Sequence, residues 1–377
     1  MGRRLLFLCC CVLAALAGTA NAAPRTPSAW AASSIRAVNA AGLLGGAKDV
    51  ASFKADQPLT AQALENLVFD LKARVAPAAA PPLTDPTVTD PVTTTTTTTT
   101  TTPTTAAAAP KQVASPDRPV QMWELDARLV GALGLADAAA TFAKSARGAG
   151  LTVPARFGTE VVARLLGLRL NHPASDDALE LRPQDAATRA EAAYSVAQIL
   201  HFSDWQVQSI EDAAQAFALP ALSAWQKRIL DTAVAHIGMP YIWGGESDDA
   251  QSAFGVQSRG GYDCSGFVWR VYKLQAYAGE GALASTLRGR TTYEMSGEVP
   301  KSQRIAPAKL QPADVLFFGD RGPRSKPAQV GHMGIYLGNG WFMHSSEYGV
   351  AVASLSGWYG RELAWGRRPL AEAGLSS

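Results

Sequence analysis

Cys264 stands in the run Gly261-Tyr262-Asp263-Cys264-Ser265-Gly266-Phe267, with Val268, Val271 and Leu274 following at helical spacing. If Asp263 caps that helix, Cys264 enters its first turn. There the positive end of the helix favours a thiolate, and the sulfur becomes a nucleophile. Such a nucleophile needs a histidine within hydrogen-bond reach, to take the thiol proton and later give it to a leaving amine. Two histidines, His332 and His344, lie in apolar, strand-like segments downstream: Gly331-His332-Met333-Gly334-Ile335-Tyr336-Leu337-Gly338 and Trp341-Phe342-Met343-His344-Ser345.

The spacing of the two histidines tests whether they can act together. A two-residue turn at Asn339-Gly340 would pair Gly338 with Trp341 and Ile335 with His344, sending the imidazoles to opposite faces. A three-residue loop, Gly338-Asn339-Gly340, with Gly340 left-handed in a bulge, would pair Leu337 with Trp341 and Gly334 with His344. Both rings then share a face as diagonal neighbours, and Gly334 leaves room opposite His344. We adopt this register. It makes His332 the base, His344 the orienting third member, and sets an ionised Cys264 before both rings on one side of the hairpin.

Other residues read as structural. His172 and His201 are expected on the surface. His236, on a helix before Tyr241, and Asp314, at a turn, are expected to hold the fold, and Trp243 is as readily a core aromatic as a site residue. Apart from Cys9-Cys10-Cys11 near the start, the sequence has no cysteine cluster, and it has no His-Glu-x-x-His pattern, so neither a metal nor another cofactor is expected.

Four ordered motifs now carry a resemblance: Tyr241-Ile242-Trp243-Gly244-Gly245, the Asp263-Cys264-Ser265-Gly266-Phe267 run, Pro312-Ala313-Asp314-Val315-Leu316-Phe317-Phe318, and the His332 segment. Over residues 222–369 the chain resembles the NlpC/P60 family of papain-like cell-wall endopeptidases. The resemblance implies an α+β domain in which the cysteine helix packs on an antiparallel sheet. It also implies hydrolysis of the γ-D-glutamyl to diamino acid bond of peptidoglycan stem peptides. It puts the nucleophile on Cys264, the base on His332, the third polar residue on His344 and the active-site tyrosine on Tyr241. Asp263, Ser265 and Thr292 fall where the family holds substrate. The sequence departs from the family in a longer stretch between Gly245 and Gly261, and in Ala313 where glycine is usual.

The remaining elements must deliver and position this site. Arg3 and Arg4, an apolar stretch from Leu5 to Leu16, and Ala20-Asn21-Ala22 have the three-part plan of a secretory leader. Its removal would take away Cys9, Cys10 and Cys11 and leave Cys264 as the single cysteine of the four. Lys and Arg total 34 against 32 for Asp and Glu, and losing Arg3 and Arg4 would balance them, which gives no electrostatic case for nucleic acid. No later segment is apolar enough to span a membrane. Residues 76–112 are almost all Ala, Pro and Thr, with ten threonines in a row from Thr93 to Thr102, and read as a spacer that buries too little to pack.

Two segments flanking the spacer look alike. Each runs helix, turn, short extended piece, and a helix begun by threonine: Thr60-Ala61-Gln62-Ala63 in one and Thr188-Arg189-Ala190-Glu191 in the other. Glu191 completes a capping box with Thr188. The plan resembles S-layer homology repeats, which implies secondary cell-wall polymer as a partner and Arg189 as a contact to it; the first copy lacks both Arg and Glu. The stretch from Met122 to Leu151 reads as a further helical pair, a degraded third copy. The expected organisation is a leader at 1–22, an all-α repeat at 23–75, the spacer at 76–112, a helical region with a second repeat at 113–217, and the cysteine peptidase domain at 218–377. The expectation is a secreted, wall-associated thiol endopeptidase. The alternatives are a binder of stem peptides without catalysis, or an amidase or acyltransferase on the same scaffold.

Overall fold

The computed structural model describes residues 28–75 and 109–375, so the leader and nearly all of the spacer fall outside the described residues. Among the described residues, seven α-helices form the first part: α1 (Ala32–Ala40), α2 (Ala61–Val75), α3 (Met122–Ala132), α4 (Ala136–Gly148), α5 (Phe157–Leu165), α6 (Arg189–Ile199) and α7 (Asp204–Ala216). Three short extended pieces, each leading into α2, α3 or α6, cross at a pseudo-threefold axis. Leu59 N–H donates to the Ala187 carbonyl, Ala187 to Val120, and Val120 back to Leu59, at 2.8–3.0 Å. Two residues on, the cycle repeats: Ala61 to Arg118, Met122 to Asp185, and Arg189 to Gln57. Leu59, Val120 and Ala187 are buried where the pieces meet. The middle stretch therefore contributes the same kind of extended piece as the other two.

Each of the three helices starts on a polar residue. Thr60 Oγ1 accepts from Ala63 N–H, and Thr188 Oγ1 from Glu191 N–H. At the start of α3 the Glu124 carboxylate accepts from Gln121 N–H at 2.8 Å. The box expected at Thr188 is only half made. The Glu191 carboxylate is buried among charges instead of reaching back to the backbone, and burial raises its pKa. Those charges include Asp126 with Arg169 (3.7 Å), Glu160 with Arg164 (3.2 Å), and His172, whose Nδ1 lies 3.1 Å from Glu180. His172 is thus a buried, paired residue rather than a surface one. His201 is exposed as expected.

Two arginines of α5 and its approach bind the first part to the second. The chain turns away after α8 (Ala224–Ala235), leaving carbonyls that its own helix cannot satisfy. Arg156 donates to the carbonyls of Ala235 and Ile237, and buried Arg164 to those of Gly238 and Tyr348.

After α8 come β1 (Glu246–Ser247), β2 (Gly261–Tyr262), α9 (Cys264–Trp269), α10 (Leu283–Thr286) and α11 (Thr292–Gly297), then β3 (Val315–Gly319), β4 (Val330–Gly338), β5 (Trp341–Ser346), β6 (Gly349–Ser354), α12 (Gly357–Glu362) and β7 (Leu363–Arg367). The last five strands make one antiparallel sheet in the order β6-β5-β4-β3-β7. The final strand, β7, forms one edge of the sheet beside β3. Side chains alternate between two faces. Met333, Ile335, Leu337 and Met343 pack with Phe267, Val268 and Val271 of the cysteine helix. Leu316, Phe318, Tyr336 and Phe342 form a second apolar layer under Tyr359 of α12. No helix among the described residues is long and apolar enough to cross a membrane.

The β4–β5 hairpin combines both anticipated geometries. Asn339 and Gly340 both have positive φ, as a mirror-image two-residue turn requires, and Gly338 pairs with Trp341. A shift between Tyr336 and Gly338 then moves the register by one, so that Tyr336 faces Phe342 and Ile335 faces Met343. The loop differs from the three-residue form we expected, because the extra residue sits in the strand instead of the turn. The consequence for the histidines is the same: both rings share a face.

Candidate active site

Asp263 has extended backbone and its Oδ1 accepts from Gly266 N–H, so α9 begins at Cys264. Residue 266 must be glycine, since a Cβ there would lie 1.8 Å from the Gly245 carbonyl oxygen. That carbonyl also accepts from Asp263 N–H at 3.1 Å, which locks the Tyr241–Gly245 turn against the cysteine turn. Gly244 N–H donates to Asp263 Oδ2 at 2.9 Å and reinforces the same junction.

His332 Nε2 and His344 Nδ1 are 2.8 Å apart, with ring planes at 83°. Phe318, Phe342 and Tyr359 surround the pair. At Gly334 a Cβ would crowd Phe342, the Met343 carbonyl and His344, so the glycine supplies the space that the sequence suggested.

Two expectations about the thiol are corrected. The apolar side of α9 covers the face of Met333 and Ile335, whereas the imidazoles lie on the other face. Cys264 therefore meets them around the start of β4, where Met333 N–H stands beside the sulfur, instead of facing them across one side of the hairpin. Among the described residues, no hydrogen bond joins the sulfur to either ring in this resting geometry. The second correction concerns charge. Burial pushes the thiol pKa up to about 12, with the nearby Asp263 carboxylate adding to it. The opposing N–H groups of Met333, Ser265 and Cys264 do not offset this. Burial likewise holds His332 down to about 4 and His344 well below the ordinary imidazole value. The resting trio is a neutral thiol and two neutral imidazoles.

Tyr241 flanks the sulfur. Its hydroxyl is kept protonated by burial and by the proximity of Cys264 and Asp263. Ser265 Oγ donates to Asp263 Oδ1 at 2.9 Å. Thr292 is buried and donates to the Val330 carbonyl at 3.0 Å, so it braces the start of β4 rather than facing open space. Arg189 is far from this cleft. Its guanidinium donates to the Phe53 and Leu44 carbonyls and lies over the Phe53 ring, so it joins the start of α6 to the stretch between α1 and α2. His236 pairs with Asp248 (3.0 Å), which also accepts from the Tyr262 hydroxyl at 2.8 Å; this ties the long 246–260 stretch beneath the cysteine turn. Asp314 accepts from Gln311 N–H and pairs with Arg368, as a turn-shaping residue would. Trp243 is exposed, not a core aromatic.

Sequence reasoning missed Arg290. Its Nε bonds Glu246 at 2.7 Å, and its other nitrogens reach Ser265 Oγ (2.7 Å), Asp263 (3.3 Å) and the carbonyls of Gly244 and Gly245 (3.1 Å each). One planar fork thus joins both turns that frame the sulfur. The only local signal was its place just before the capping Thr291.

Among the described residues Cys264 is the free thiol; it stands at a helix start with Met333 N–H beside it, one residue along β4 from His332. Residues 238–368 match the model of the NlpC/P60 family, so the C-terminal part of the chain carries an NlpC/P60 domain. The chain is 33% identical over 132 residues to the probable peptidoglycan endopeptidase LytE of Bacillus subtilis (strain 168), covering 35% of this chain and 30% of that one. It is 31% identical over 127 residues to the peptidoglycan endopeptidase RipA of Mycobacterium tuberculosis, covering 33% and 23%. Among solved structures, the NlpC/P60 domain of the peptidoglycan hydrolase SagA aligns at 25% identity with a TM-score of 0.27, covering 38% of this chain and 97% of that one. The chain spans less than a third of the length of the two relatives named.

Proposed function

We propose that this protein is an exported cell-wall hydrolase that cleaves peptidoglycan stem peptides between γ-D-glutamate and the following diamino acid. The observation that carries this reading is the His332–His344 hydrogen bond on β4 and β5, with Cys264 at the neighbouring Met333 N–H, within the segment that matches the NlpC/P60 family.

With both partners neutral at rest, the thiol proton moves to His332 as sulfur attacks the amide carbonyl. His344 accepts from His332 Nε2–H and holds the ring in the tautomer whose Nδ1 can take that proton. Backbone N–H groups at the start of α9, with the Tyr241 hydroxyl, stabilise the oxyanion. His332 then protonates the leaving amine and activates the water that hydrolyses the thioester. Asp263 and Ser265, aligned by Arg290, hold the D-glutamyl portion. The threefold helical part acts as an S-layer homology-like module that keeps the enzyme at the wall. Because the Arg189 guanidinium is spent inside the fold, a secondary cell-wall polymer would have to be held by other groups.

The test is digestion of purified muropeptides of known stem composition by the full chain and by its Cys264→Ala variant. A new amino terminus on the diamino acid, released by the first protein alone, is the expected result. Binding without cleavage by either would favour a non-catalytic stem-peptide binder, and transfer of the acyl group to an added amine would favour an acyltransferase.

A further inference from the structure

The edge of the sheet next to His344 opens into a groove of about 350 Å³ that both parts of the molecule build. One wall is the end of α5 and the turn after it, Arg164 to Gly167, which pack against β6, together with Tyr194 and Gln198 of α6; the other carries His344, Tyr348, Tyr359 and the backbone of β6. β6 is an edge strand. Val350 turns both its backbone groups outward, donating to the Met239 carbonyl and accepting from Gly238 N–H. By the antiparallel alternation, Val352 turns its N–H and C=O to the same outer edge, and among the described residues neither has a protein partner. The groove therefore offers a backbone donor and acceptor, a primary amide and three tyrosine rings. His344 Nδ1 is taken by His332, so the remaining ring nitrogen is the one left for a ligand.

We infer that this groove binds an extended peptide, which adds to the outer edge of β6 through Val352 and reaches His344 with a carbonyl or carboxylate oxygen. Edge pairing of this kind draws its affinity from main-chain bonds and suits a chain with little side-chain bulk. The occupant, on the reading of the protein as a stem-peptide hydrolase, is the second strand of a cross-linked stem pair. Its oxygen would accept from His344 Nε2–H and favour the charge that develops on the imidazole pair when His332 takes the thiol proton. The helical part is then one wall of a substrate site as well as an anchor.

The experiment measures binding of a purified, sugar-free, cross-linked stem-peptide dimer to full-length Cys264→Ala protein by calorimetry. Adding Val352→Pro, which removes the outward N–H without touching the bonds to β5, should raise Kd at least tenfold. Gln198→Trp, which fills the groove from the surface of α6, should do the same and serves if the proline variant fails to fold. An unchanged Kd in a folded variant, no binding of the dimer at all, or equal binding of peptide-free glycan chains would overturn the inference. Cleavage of the same dimer by the unmutated enzyme is scored separately. Binding that depends on Val352 without cleavage would leave the groove standing and defeat the proposed activity, and the reverse pattern would do the opposite.

Discussion

His332 Nε2 lies 2.8 Å from His344 Nδ1, and that contact fixes which nitrogen of His332 is left for the thiol. Replacing His332 by Ala removes the base and should lower kcat by about 10²–10⁴-fold, the usual worth of a positioned proton carrier. His344→Ala leaves the base in place but frees its tautomer and orientation, so a smaller loss of about 10²-fold is expected. His344→Asn can still accept from His332 and should recover most of it. Steady-state kinetics on a defined muropeptide check the order; equal losses for Ala and Asn would show that His344 is only filling space.

The neutral resting state has its own signature. An imidazole held at about 4 stays an available base at every pH above that value. Activity should therefore persist through pH 6.5 and fall only as pH drops through about 4, on protein that circular dichroism shows to be folded. A thiol pushed up to about 12 gives no thiolate absorbance at neutral pH, and iodoacetamide should alkylate it slowly. A bell-shaped profile with an acid limb near 6.5, together with fast alkylation, would mean that the helix terminus outweighs burial after all.

Among the described residues, Arg290 is the one cation in contact with both turns that frame the sulfur. Arg290→Ala leaves Asp263 without its cation and the Gly244 carbonyl without its donor, while the Gly245 carbonyl keeps Asp263 N–H. Allowing for its partial exposure, the loss should be about 1–2 kcal/mol of stability, read by urea denaturation. The kinetic effect should fall mainly on KM, because the residues it aligns are those assigned to hold substrate. Lys cannot span the same acceptors, so Arg290→Lys should resemble Ala more than the original.

What could be read ahead of the structure follows from the range of the forces involved. The cysteine turn was legible because Asp263 and Gly266 act within a few residues, and the imidazole pairing because strand periodicity of two leaves few registers. The position of the bulge was not, since a residue inserted in the strand or in the turn gives the same downstream register. Arg290 and the inward-facing Glu191 depend on partners brought together by tertiary folding, and local motifs suggested other roles for that part of the chain. The ionisation of Cys264 was misjudged for a related reason: a helix terminus is written in the local sequence, whereas burial is a property of everything packed around it.

Ala313 offers a test of backbone strain away from the chemistry. It precedes Asp314 with φ at +67°, in the left-handed region that costs a residue with a Cβ roughly 1–2 kcal/mol. The turn is held from several sides: Ala313 N–H donates to the Tyr336 carbonyl at 2.8 Å, its own carbonyl accepts from the buried Tyr272 hydroxyl, and Tyr336 N–H donates to the Asp314 carbonyl at 2.8 Å. Those bonds feed directly into β4, so the conformation is imposed by the strand that carries His332. Ala313→Gly keeps every one of them and removes the strain, at the cost of a more flexible unfolded chain. A net gain of about 1 kcal/mol is expected, seen as a higher urea midpoint with an unchanged slope. Unchanged kcat and KM should accompany it. A loss of stability would mean that the methyl group contributes packing that outweighs the left-handed backbone.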